Sequence, residues 1–263
     1  MGVVIANIVA IFRKELQSYL GSPVAYLVAA IFWLLSGNSF LDNLYKVVGR
    51  AAYVDQMGVP APPEDFAYTF LFFFLSDIGA LALFLLPLLS MGLYTEERKR
   101  GTLELLATSP VTNWAVAVGK LLGVLTFFTF MALPLLIYEA IALSAANPPI
   151  QPAVPLLAHA GLILLAASIL ALGMFISSLT DSTILAAFLT FALNFFLWII
   201  AWLAQNVEGV IGEALSHLSL LEAYSNFVKG IFDPSSLILL VSYIILGIFL
   251  TAQYIDALRF QRT

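Results

Sequence analysis

Six long apolar stretches constrain this 263-residue chain more than any other feature of its sequence. They run from about Ser22 to Leu41, Phe66 to Leu93, Ala117 to Leu143, Val154 to Ser177, Thr183 to Ala204 and Ser236 to Ala257. A helix needs about 20 mainly apolar residues to cross the ~30 Å hydrocarbon core of a bilayer. Charged residues make up only 10% of the chain, against about 25% in soluble domains, so lipid is the expected solvent. The sequence predicts an all-α integral membrane protein: one transmembrane domain over residues 1–263 with six transmembrane helices.

An even number of spans places both termini on one side. Arg13, Lys14, Arg98, Lys99, Arg100, Lys120, Arg259 and Arg262 fall on that side, and Lys46, Arg50 and Lys229 on the other. The positive-inside rule assigns the more basic side to the cytoplasm. Trp198 and Trp202 then sit at the outer interface. The few basic residues form no face for nucleic acid. Without Cys, and with His159 and His217 alone for imidazole, neither thiol chemistry nor a multi-ligand zinc site is expected. No P-loop occurs, and no loop holds a Ser–His–Asp set or paired carboxylates. The chain is therefore expected to carry no catalytic, cofactor or metal site. Arg13, Lys14 and Glu15 interrupt residues 1–20, where a cleaved signal needs its apolar run.

The segments outside the spans are more distinctive. In residues 1–20, Val4, Ile8, Ile11, Phe12 and Leu16 recur at helical spacing, which predicts an amphipathic helix lying in the cytoplasmic interface, or an inward extension of span one. Residues 42–65 read as an outer loop, Pro-rich near its end. Residues 94–116 form a cytoplasmic loop. Its charge run Glu96-Glu97-Arg98-Lys99-Arg100 is broken by Gly101, and Thr102 can cap a short helix whose Leu103, Leu106 and Ala107 share a face beside Glu104. Ser109-Pro110 ends that helix, and Thr112 or Asn113 caps the return. Such a helix suits docking on a soluble partner, although an ordinary solvated basic loop accounts equally for its composition. Residues 205–235 are too short to cross twice, yet show helical apolar spacing from Val207 to Leu221, and read as short helices at the outer rim.

Two carboxylates fall within spans, where burial is costly. Asp77 lies near the middle of span two and Glu139 toward the outer end of span three, where hydration is expected; both are candidates for a substrate path. Asp181 is expected to cap span five. Gly119 and Gly123 match a helix-pairing pattern only weakly in a chain with 16 Gly. Pro87 and Pro134 are expected to kink their helices.

The stretch Glu96-Glu-Arg-Lys-Arg-Gly-Thr-Leu-Glu-Leu-Leu-Ala-Thr-Ser-Pro-Val111, with Trp114 and Gly119-Lys120, resembles the loop of ABC-2-type transporter permeases, most closely the gliding-motility GldF and NosY-type permease subunits. Phe12-Arg-Lys-Glu-Leu16, Ser177-Ser-Leu-Thr-Asp181 and the tract from Leu218 to Asp233 carry the same likeness, which covers essentially the whole chain. The resemblance implies a bacterial inner-membrane subunit that pairs with a second permease copy or homologous permease, with cytosolic ABC ATPase subunits holding ATP and Mg, and with membrane lipids and an auxiliary extracytoplasmic subunit as further partners. Phe12, Arg13, Lys14 and Glu15 would belong to a connector helix. Glu96, Glu97, Arg98, Lys99, Arg100, Gly101, Thr102, Leu103, Glu104, Leu106, Ser109 and Pro110 would form the ATPase-coupling element. Residues 205–235 would be gate-like. Export of a lipid, glycan or other large hydrophobic substrate is the expected work. The rivals are a membrane anchor for a gliding or envelope machine, a secondary transporter or channel, and a membrane enzyme.

Overall fold

The computed structural model describes residues 2–57, 65–103, 111–146, 149–207 and 209–260. Those residues form helices α1 (Gly2–Leu20), α2 (Pro23–Met57), α3 (Phe66–Ser90), α4 (Gly92–Lys99), α5 (Asn113–Ser144), α6 (Ala153–Leu179), α7 (Thr183–Asn206), α8 (Val210–Ser216), α9 (Leu220–Val228) and α10 (Pro234–Phe260), with no strand among them. Six helical segments are long and apolar enough to cross a membrane: Pro23–Gln56, Phe66–Lys99, Asn113–Ser144, Ala153–Leu179, Thr183–Ala204 and Pro234–Leu258.

The most enclosed of these is α6, whose Leu162, Leu165, Ile169, Leu170 and Met174 are fully buried. Its neighbours approach through small residues, because apolar surface alone drives no association between helices already in lipid. A Cβ on Gly247 of α10 would lie 2.5 Å from the Ala171 backbone, and the Ser168 hydroxyl crosses to the Leu240 carbonyl at 2.9 Å. A Cβ on Gly173 would meet Ser90 Oγ at 2.2 Å, so α3 is held equally close. Around this core the exposed side chains are large and apolar, among them Leu34, Phe84, Ile137, Ile141, Ile184, Phe188 and Ile238. That inverted surface is what lipid requires.

The breaks in the second span, at Pro87 and Met91, are each compensated from a neighbouring helix. Pro87 has no N–H for the Leu83 carbonyl four residues earlier, and Asn194 Nδ2 of α7 donates to that carbonyl at 2.8 Å. Where α3 passes into α4, Ser177 Oγ accepts from the Tyr94 and Thr95 N–H groups at 2.9 and 3.2 Å and donates to the Met91 carbonyl at 2.9 Å. One hydroxyl thereby fixes the angle at which the chain leaves the bundle.

Three features of the fold add to or correct the sequence reading. Helix α2 continues to Met57, past the expected end at Leu41. Polar residues there support the helix instead of ending it: Lys46 pairs with Asp42 one turn away, and Asn43 Nδ2 donates to the Ser39 carbonyl at 2.9 Å. At 1.5 Å per residue α2 is about 50 Å long, so it extends well beyond a ~30 Å core. Second, α1 is anchored as well as amphipathic: Val3, Val4, Ile5 and Val9 are exposed, while other residues of the helix pack on α5. Ile8 and Ile11 meet Gly119, Glu15 and Leu16 meet Gly123, and Tyr19 stacks on Phe127 with centroids 5.5 Å apart. The contacts advance together along both chains, so α1 packs lengthwise on the base of α5. The glycines permit this, since a Cβ at either would lie within 2.8 Å of an α1 side chain. Third, Ser182, not Asp181, caps α7, its side chain accepting from the Leu185 N–H.

At the opposite end α9 is wedged into the bundle. A Cβ on Gly79 would lie 2.3 Å from the Tyr224 ring, and one on Gly161 would lie 2.5 Å from Phe227 Cβ. The Tyr224 hydroxyl donates to the Leu75 carbonyl at 2.7 Å. Burial first, and then the Glu139 carboxylate, hold this phenol's pKa well above its usual 10.0.

Candidate functional site at the basic end of the bundle

Lys120 is 2% exposed, and a cation so placed must be compensated. Its Nζ lies 3.0 Å from Glu97 Oε1 and 3.4 Å from Glu15 Oε2, donates to the Leu93 carbonyl at 2.7 Å, and stands 4.9 Å from the Tyr94 ring centroid. The two carboxylates come from different elements, Glu15 from α1 and Glu97 from α4. Glu15 arrives because Gly123 lets α1 lie flush on α5, and Glu97 because α4 carries the chain on from α3 through Met91. Lys14 reaches the same Glu97 oxygen from the exposed side at 3.2 Å. Removing one member of such a buried ion set typically costs about 3–5 kcal/mol, because the others stay buried without compensation.

The next residue ties α4 to the other half of the bundle. Arg98 Nη1 donates to the Ser178 carbonyl at 2.9 Å and to the Tyr254 hydroxyl at 3.0 Å. Beside it Asn113 Nδ2 donates to Asp256 Oδ1 at 2.6 Å, so the start of α5 is bound to the end of α10. Adjacent residues, Glu97 and Arg98, therefore bind different groups of helices: α1 with α5, and α6 with α10. Past α4, Gly101 takes a left-handed φ of 66° and the Thr102 N–H returns to the Glu97 carbonyl at 2.9 Å. Leu103 is buried there at 5% exposure.

A family model described as ABC-2 family transporter protein matches residues 9–262, nearly the whole chain. The chain belongs to the ABC-2 transporter family. A comparison with curated proteins finds no match.

In this ABC-2 protein the expected site residues divide into groups. Glu15, Glu97 and Lys14 converge on Lys120, and Arg98 on Ser178. Arg13 and Lys99 are exposed, as are Glu96 and Arg100, which pair with each other at 3.6 Å. Phe12 is half-buried. Glu104, Leu106, Ser109 and Pro110 lie outside the described residues. The expected side-chain cap at the start of α5 is not formed: Thr112 makes no such bond, and Asn113 is engaged with Asp256.

The intramembrane carboxylates lie apart from this site and from each other. Asp77 is exposed on the bundle surface, its Oδ2 accepting from Ser39 Oγ at 2.7 Å and Asn43 Nδ2 at 2.8 Å. Glu139 is buried, where its position had implied exposure to water. It is 1% exposed, neither oxygen has a hydrogen-bond partner among the described residues, and His159 Nδ1 is 3.7 Å away. Helix α9 and the start of α6 enclose it.

Sequence reasoning missed Lys120, Tyr254 and Asp256 as members of the basic-end network. Lys120 had been read as a topological charge and as part of the family likeness, not as a buried partner. Its signal was two glycines within one turn on the same helix, at positions 119 and 123, which mark a face for close helix approach.

Proposed function

We propose that this ABC-2 family protein is the membrane-spanning permease of an ATP-driven transporter, and that its basic end is the cytoplasmic surface on which a separate ABC ATPase acts. The observation that carries the reading is Lys120, the buried point where α1 and α4 meet the base of α5. A basic loop serving topology alone needs no buried ion set. A surface that takes up force from a partner and passes it to the spans does, and Glu97 with Arg98 distributes that force to two groups of helices.

In this reading the tract 96–110 and residues 12–15 form the docking surface. Exposed Arg13, Glu96, Lys99 and Arg100 orient the encounter, while Leu106 anchors it, because central apolar contacts dominate such interfaces and rim charges contribute less. Exposed Asp77, held by half-buried Ser39 and buried Asn43, is assigned to the substrate path, since a carboxylate facing hydrocarbon is costly and water or cargo beside a second permease copy would relieve that cost. Export of a lipid, glycan or other large hydrophobic substrate is the work proposed. The narrower likeness to gliding-motility GldF and NosY-type permeases, strongest in residues 96–111, leaves the cargo open.

Two variants test docking and transmission separately in complexes reconstituted with the partner ATPase. Leu106→Asp should abolish ATPase copurification, with Arg100→Ala reducing it less than threefold. Lys120→Met should retain copurification but lose at least tenfold of the cargo-dependent ATP turnover. Unchanged turnover in a folded Lys120→Met complex would overturn the transmission role; unchanged copurification of Leu106→Asp would remove the docking surface.

A further inference from the structure

Beside the Lys120 cluster, but facing the other way, is a cavity of about 260 Å³ lined by residues of α1, α2, α3, α4 and α7. It opens where α2 begins and where α3 ends, so it lies at the level where the chain passes between hydrocarbon and headgroups. Its two sides differ in chemistry. Val24, Ala25, Leu88, Leu89 and Met91 form an apolar wall toward the spans. Glu15, Ser18, Ser22 and Glu96 form a polar wall toward the chain's basic end. Tyr19 stands between them, its hydroxyl spent on the Leu89 carbonyl at 2.5 Å. Val24 is 51% exposed at the mouth, so the cavity is open sideways to the lipid that surrounds α2.

The charge of the lining selects the ligand. The charged residues lining the cavity are both carboxylates, Glu15 and Glu96. Their cations approach from outside it: Lys120 reaches Glu15 from the buried side, and Arg100 reaches Glu96 from a position 75% exposed to solvent. Both carboxylates act on the Tyr19 phenol, which burial foremost, and then Glu15 and Glu96, hold well above its ordinary pKa of 10.0. A head that ends in a bare phosphate would set that anion against the carboxylates, whereas a head that ends in an ammonium sets a cation there. A quaternary ammonium offers no N–H to carboxylates and hydroxyls, whereas a primary ammonium offers three donors. The volume suits a small head and a first stretch of chain, not a glycan repeat or a polypeptide segment.

We propose that this cavity binds the primary-ammonium head of a membrane lipid, the head between Glu15 and Glu96 and the upper acyl chain along Val24, Leu88 and Met91. The site belongs to the permease alone and stands whether or not the ATPase reading does. Bound there, a lipid would touch α1 and the start of α2 together, and so report on the same α1–α5 unit that Lys120 holds.

The test uses the purified full chain in nanodiscs of phosphatidylcholine containing a trace of phosphatidylethanolamine with a photoreactive acyl chain, read by peptide mapping of adducts. Labelling should concentrate on residues 18–25 and 88–92. Unlabelled phosphatidylethanolamine should compete at least fivefold better than phosphatidylcholine or phosphatidylglycerol. Ser18→Trp, at an exposed position on the rim, should cut labelling at least fivefold by filling the cavity. Glu96→Gln should erase the preference for the amine head while the protein remains folded. Equal competition by all three lipids, or labelling that survives Ser18→Trp, would show ordinary boundary lipid and overturn the proposal. Because no ATPase is present, failure here leaves the coupling role of Lys120 untouched, and failure there leaves this site standing.

Discussion

Asn194 of α7 donates to the Leu83 carbonyl of α3, the group that Pro87 deprives of its helical partner. The two residues are 111 apart in sequence, and the bond converts a helix defect into an interhelical tie. The amide is 2% exposed, so its loss leaves a buried carbonyl unpaired, at a typical cost of about 1–3 kcal/mol. Asn194→Leu should lower the thermal midpoint of the purified protein. Pro87→Ala, which restores the missing N–H, should make Asn194→Leu nearly harmless. Additive losses in the double variant would refute the pairing, since coupled neighbours depart from additivity by about 0.5–3 kcal/mol.

The α9 wedge makes a steric prediction. A methyl group at position 79 has no room beside Tyr224, whose ring comes within 2.3 Å of it. Gly79→Ala should therefore expel α9, read as faster hydrogen exchange across residues 220–228 with little change in α6. Tyr224→Ala in the same chain should abolish the additional effect of the methyl. Protection of α9 that is unchanged in Gly79→Ala would disprove the wedge.

At Asp77 stability and function should move in opposite directions. A carboxylate within a span costs about 2.5–3.5 kcal/mol on insertion scales at the helix centre, and this one is exposed beside Ser39 and Asn43. Asp77→Leu should raise the melting temperature of the permease while reducing transport at least tenfold. A variant that is both stabilised and fully active would place Asp77 outside the substrate path.

The start of α10 has a defined acid response. Asp233 accepts from the hydroxyls and N–H groups of Ser235 and Ser236, and these bonds, the Ser235 hydroxyl's foremost, hold its pKa near 2, below the usual 3.8. A depressed carboxylate stabilises the fold fully above its unfolded pKa, and the contribution fades as pH falls from about 4 to about 2. Exchange at the first turn of α10 should thus be insensitive to pH-linked loosening from pH 7 to 5 once intrinsic rates are removed. Asp233→Ala should show faster exchange throughout that range. Loosening of the wild-type turn near pH 5 would contradict the cap.

The spans were legible because burial in lipid imposes one requirement, sustained apolarity, that survives in any single window of sequence. The extension of α2 was not. Asp42, Asn43, Lys46 and Arg50 read as loop polarity, whereas a helix projecting past the bilayer takes exactly such residues when Asp42 and Lys46 can pair one turn apart; length, not composition, was the missing datum. The Lys120 cluster was invisible for a different reason. Glu15 and Lys120 are 105 residues apart, and nothing local marks a lysine as buried until the helix covering it is placed. Glu139 shows the same limit, since the element that encloses it, α9, lies well downstream in the chain.

The seam between α1 and α5 has a mechanical consequence. Three successive contacts, at Gly119, Gly123 and Phe127, leave α1 no freedom to swing independently of α5, whereas only the short turn at Gly21 and Ser22 separates it from α2. Load applied to the first residues of the chain is therefore delivered to its third span before its first. The protein's opening segment is a tang fixed to the shaft of α5, and α2 hangs from it by a hinge.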